Sequence, residues 1–144
     1  MDAKIKHLEL LQIIIQRMAN NSFLLKGWTV TLIVAIFTLA SKDAIQIYFI
    51  LAYIPVFAFW FLDAYYLQLE RKYITLYDII RQKKIVDFDL SISELTYKKI
   101  KKKTLKYINC LFSTSEWLFY IPIAVLLTII FKKQITSILD LLKL

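Results

Sequence analysis

Residues 22–41, SFLLKGWTVTLIVAIFTLAS, decide how this chain is read, because twenty consecutive positions carry a single charge, Lys26. A helix rises about 1.5 Å per residue, so a stretch of roughly 20 residues spans the ~30 Å hydrocarbon core of a bilayer. Lys26 stands near the start, where its methylenes can lie in apolar surroundings while its amine extends back to the headgroups. Trp28 marks the same boundary, as an interfacial aromatic does. Asn20, Asn21 and Ser22 precede the run and predict a helix start there.

Downstream, Lys42 and Asp43 break the apolar run, and residues 44–62, AIQIYFILAYIPVFAFWFL, form a second uncharged stretch of crossing length. So short a connection predicts an antiparallel transmembrane hairpin over 22–62. Pro55 is expected to bend its second arm, and Trp60, Tyr65 and Tyr66 to mark the exit. Upstream, residues 1–21 place Leu8, Leu11, Ile15 and Met18 at helical spacing beside a partly charged face, which predicts a separate amphipathic helix.

No breaker follows Leu62, so the second arm is expected to continue as a helix with Leu62, Tyr66, Leu69, Tyr73, Leu76 and Ile80 along one seam. IVDFDL, residues 85–90, alternates apolar and acidic side chains and predicts a turn or short extended piece. Ser91 with Glu94 resembles a capping box ahead of KKIKKKTLKY, residues 98–107. Ser113 with Glu116 repeats that pattern before WLFYIPIAVLLTIIF, residues 117–131, so 113–131 reads as a third crossing interrupted by Pro122. Residues 132–144 read as an amphipathic tail.

Composition agrees with this segmentation. Of 144 residues, 59% are hydrophobic, and the mean hydropathy of +0.58 is too apolar for the surface of a small soluble domain. A single Gly and two Pro leave few sharp turns. The predicted class is an all-α integral membrane protein. The net charge of +8 is concentrated between 63 and 112, in Arg71, Lys72, Arg81, Lys83, Lys84, Lys98, Lys99, Lys101, Lys102, Lys103 and Lys106. By the positive-inside rule that basic helical region and the N-terminus are expected on the cytoplasmic side of the membrane. Lys98, Lys99, Lys101, Lys102, Lys103 and Lys106 are candidate contacts for anionic lipid or another anionic ligand. The run lacks a recognisable nucleic-acid-binding fold, and direct nucleic-acid binding is not expected.

The residues exclude several chemistries. His7 and Cys110 are the single histidine and single cysteine, so no cysteine zinc cluster can form and no nucleophilic pair is indicated. No phosphate-cradling glycine loop is present, and neither a cofactor nor an enzymatic activity is expected. Asp63 and Glu70 are seven residues apart on one helical face and are expected to pair with Lys26, Arg71 or Arg81 at the cytoplasmic mouth of a bundle. Thr31, Ala35, Thr38 and Ser41 form a stripe of small side chains, extended by Gln46, that suits close helix packing or the lining of a pore built from several copies.

RMANNSFLLKGWTVTL, residues 17–32, and FWFLDAYYLQLERKYITLYDIIR, residues 59–81, resemble a recurring group of small bacterial membrane proteins. The order of amphipathic helix, hairpin and long cytoplasmic helix is also similar to the SLATT class of two-transmembrane effectors. That resemblance implies a pore-forming partner of nucleotide-signalling systems in phage defence, anchored through Trp28 and Trp60, with the helix junction at 63–81. The expected function is a homo-oligomeric membrane effector or channel, controlled by a nucleotide ligand or nucleotide-signalling protein. The alternative is a noncatalytic membrane adaptor that recruits an acidic protein.

Overall fold

The computed structural model describes residues 2–43, 50–82, 88–92 and 105–142. Among them the regular secondary structure is all helical, with no strand: α1 spans Asp2–Asp43, α2 Tyr53–Gln82, α3 Tyr107–Leu111 and α4 Thr114–Leu142. At 42 residues, α1 is about 63 Å long, roughly twice the thickness of a hydrocarbon core. It therefore has an apolar half that begins near Lys26 and a more polar half that extends away from it.

Two predicted boundaries are absent. The helix start expected at Asn20–Ser22 does not divide α1, and residues 1–21 are not a separate element from the apolar run. Asn and Ser cost only a fraction of a kcal/mol each inside a helix, too little to stop one that packs along its length. Ser22 is held within the helix by accepting a hydrogen bond from Lys26 Nζ at 3.1 Å. Likewise α4 continues through Pro122 and past 131 to Leu142, so neither the proline nor the 131/132 boundary ends it. Proline removes one backbone donor, a loss that a 29-residue helix absorbs.

α2 returns antiparallel to α1. Lys4 Nζ donates to the Arg81 carbonyl at 2.8 Å, Leu11 packs with Leu76 and Ile80, Lys26 meets Asp63, and Ile33 packs with Val56. The predicted seam on α2 is thus used partly inside the protomer: Leu76 and Ile80 are buried and Tyr73 joins them. Leu62 faces outward, and the buried face at its level is Asp63 and Ala64. Straight helices drift by about 20° per heptad relative to a strict seven-residue repeat, so one stripe does not keep facing its partner over so many turns.

α4 packs antiparallel against α2 and runs parallel to α1, which it meets through side chains. Glu116 lies beside Lys26, Tyr120 and Leu127 join the cluster of Ile33, Ala52 and Val56, and the Tyr53 and Thr128 hydroxyls are 2.8 Å apart. The C-terminal end of α4 therefore points the same way as that of α1. Residues 105–113 are strapped to α2: Trp60 Nε1 donates to the Leu111 carbonyl at 3.0 Å, Gln68 Nε2 to that of Leu105 at 2.8 Å, and the Tyr107 hydroxyl to that of Phe61 at 2.9 Å.

Ala3–Ala40 and Thr114–Lys132 are each long and apolar enough to cross a membrane, a weak indication compatible with a membrane location. Only 22% and 17% of their most apolar windows are buried, so their side chains are not the core of a closed globule. The second expected crossing, 44–62, is described from residue 50 onward.

At the polar end, residues 88–92 lie against the α1–α2 pair without helical structure; the first half of IVDFDL, 85–87, lies outside the described residues. The Asp89 side chain accepts from the Ser91 amide at 2.8 Å, and Leu90 and Ile92 pack on the Leu11 cluster. Phe88 has φ of 50°, a left-handed conformation uncommon for a bulky residue, and stacks on the buried His7 ring at 5.2 Å.

Candidate functional site

The molecule places charge where its three long helices meet. Lys26 comes from the middle of α1, Asp63 from α2 and Glu116 from the first turn of α4. Both carboxylates are fully buried, and the Lys26 side chain is 18% exposed. Lysine carries three ammonium donors, and all three are used: Asp63 Oδ2, Glu116 Oε1 at 3.2 Å and Ser22 Oγ at 3.1 Å. The Tyr120 hydroxyl donates to the same Asp63 oxygen at 3.1 Å. Lys26 Nζ also lies 6.0 Å from the ring centroids of Phe119 and Tyr120, within range of a cation–π attraction.

Local sequence explains each position. Glu116 is three residues past Ser113, the spacing of a capping box, and Ser113 does precede the first residue of α4. Neither side chain makes the reciprocal cap, however: Glu116 turns inward to Lys26, and the Ser113 hydroxyl accepts from Arg71 at 2.7 Å. Lys26 likewise does not extend outward to headgroups, since two buried acids hold its amine inside. Asp63 Oδ1 and Glu116 Oε2 are buried with no hydrogen-bond partner among the described residues.

The remaining residues singled out in the sequence fall into separate places. Thr31, Ala35 and Thr38 are exposed on the side of α1 turned away from α2 and α4. Thr31 and Thr38 donate to the carbonyls of Gly27 and Val34 at 3.0 and 2.9 Å. Ser41 belongs to α1, with its side chain outside the described residues, as are Gln46, Lys98, Lys99, Lys101, Lys102 and Lys103. Lys106 is exposed immediately before α3. Arg71 joins α2 to the strap, donating to Ser113 and to Cys110 Sγ at 3.6 Å. Arg81 lies roughly 27 Å along α2 from Asp63, exposed and 3.7 Å from Asp78.

Glu70 lies two turns from Asp63, partly buried. Burial pushes its carboxyl above the usual range, Arg71 and Lys26 pull it down, and Asp63 pushes it up. A carboxyl that holds its proton more tightly when folded stabilises fully below its ordinary value of 4.5, and that contribution is lost as pH rises through the folded value. Glu70→Gln is accordingly expected to flatten the decline in thermal midpoint from acidic toward neutral pH. An unchanged pH profile by circular dichroism would contradict the assignment.

Sequence reasoning named Lys26 as one of three cations for Asp63, beside Arg71 and Arg81, and missed Glu116 and Tyr120. The available signal was Glu116 itself, an acid at the edge of an apolar segment, where ionisable residues seek a partner. Comparisons with protein-family models, curated proteins and solved structures found no match to this chain.

Proposed function

We propose that this chain is a noncatalytic, integral protein of the bacterial inner membrane, with its N-terminus cytoplasmic, whose copies assemble into a pore-forming channel or effector. The observation that supports it is the exposed Thr31–Ala35–Thr38 face. Small side chains let helices approach closely, and hydroxyls already bonded to their own helix carry little cost in lipid. Within one protomer, aromatic and aliphatic side chains fill the space between the helices beyond the Lys26 cluster, so a conducting path needs several copies around α1. The polar half of the α1–α2 pair and the lysines of 98–106 then face the cytoplasm, where anionic lipid and a nucleotide ligand or nucleotide-signalling partner of an antiviral system act on them.

The test combines cross-linking with conductance. Thr38→Cys is expected to cross-link between copies in a native membrane, while Ile33→Cys, buried within the protomer, is not. Purified protein in a planar bilayer is expected to open in discrete steps, and Thr38→Trp to lower conductance at least tenfold. Silence from protein shown to be inserted and assembled would discard the channel and favour an adaptor that recruits an acidic partner.

A further inference from the structure

We propose that Asp63 and Glu116 form a binding site for a single proton, shared between their carboxyl groups and enclosed where α1, α2 and α4 meet. Two fully buried carboxylates face one ammonium, which leaves one negative charge uncompensated. The oxygens the ammonium does not reach, Asp63 Oδ1 and Glu116 Oε2, are both buried and unpartnered among the described residues. A buried carboxylate oxygen without a donor is strongly disfavoured, whereas a proton turns one carboxyl into a donor for the other.

Among the described residues, the neighbouring groups are otherwise engaged. On α1, Lys26 has spent its three donors, and Thr29 donates to the Leu25 carbonyl at 2.8 Å. On α2, Arg71 is directed to Ser113 and Cys110, and Glu70 adds a further acid near Lys26 and Asp63. Lys72 acts on Cys110, as does Glu116. On α4, Tyr120 donates to Asp63 Oδ2. From α3, the Cys110 thiol is pushed up, chiefly by burial, and stays a neutral neighbour. An alkali cation generally needs more oxygens than the two that remain, so the ligand is a proton. Its release leaves a bare negative charge between α4 and the α1–α2 pair, which ties the docking of α4 to pH. The site lies within one protomer and stands independently of the pore.

Infrared difference spectroscopy of the full chain in lipid nanodiscs, titrated from acid to alkaline pH, tests this. The wild type is expected to keep a protonated-carboxyl band well above the range in which ordinary carboxylates ionise. Glu116→Gln and Asp63→Asn are each expected to lose that band, because the remaining acid is neutralised by Lys26. Glu70→Gln is expected to retain it. Absence of the band from the wild type at neutral pH would overturn the proposal, and so would its persistence in both single variants. Loss of the band on adding sodium or potassium at constant pH would overturn the choice of a proton over a metal cation. The wild-type arms stand even if a variant fails to fold.

Discussion

Lys26→Met is expected to destabilise the three-helix junction by about 3–5 kcal/mol, the cost typical of removing one partner from a buried ionic cluster. The substitution deletes the donors to Asp63, Glu116 and Ser22 together and leaves the carboxyl pair, with the one proton it shares, enclosed with no cation. The unfolding midpoint in a fixed detergent, followed by circular dichroism, measures the loss. Because one further proton can replace the charge of the missing ammonium, the deficit should shrink as pH falls. The triple replacement Lys26→Met, Asp63→Leu, Glu116→Leu is expected to recover most of the stability, since an apolar junction has no charge to compensate. A Lys26→Met protein as stable as wild type at neutral pH would show that the amine is not what holds these acids.

Tyr120→Ala carries the second large effect, about 3–5 kcal/mol by analogy with truncation of large buried aromatics. Tyr120 is fully buried, stacks on Trp60 at 6.0 Å and meets Phe119 edge to face at 5.0 Å. Tyr120→Phe separates ring from hydroxyl: it keeps the packing and removes only the bond to Asp63, a loss of about 1.5–3 kcal/mol for a hydrogen bond to a charged group. Unfolding midpoints rank the two, and tryptophan fluorescence reports whether Trp60 keeps its environment. Equal losses would mean that the hydroxyl, and not the ring, dominates.

Much of the fold was legible along the chain. Apolar runs long enough to cross a bilayer begin near Ser22 and Thr114, and helix without interruption follows from the near absence of Gly and Pro. The continuation of α2 beyond Leu62 was visible for the same reason. The helix start expected at Asn20–Ser22 was not realised, because side chains that favour a cap in isolation are weak against the packing of two long antiparallel helices. The sequence reading took Glu116 as a cap residue and left its other signal, an acid bordering apolar sequence, unused. The structure places its carboxyl on Lys26, since an acid turned into the bundle needs a cation more than a helix terminus needs a second cap.

By itself the sequence determined helical content, the place of the apolar segments and the concentration of positive charge between them, because propensity, hydropathy and charge belong to consecutive residues. The sequence left Asp63 a choice of Lys26, Arg71 or Arg81, and only the tertiary structure decided that it meets Lys26, 37 positions away, which also holds Glu116, 90 positions away. It also decided that Thr31, Ala35 and Thr38 face outward while Thr29 is buried. These facts depend on the register and rotation of each helix against its neighbours. Register follows from side-chain packing summed over whole helices, a quantity that no single stretch of the chain contains.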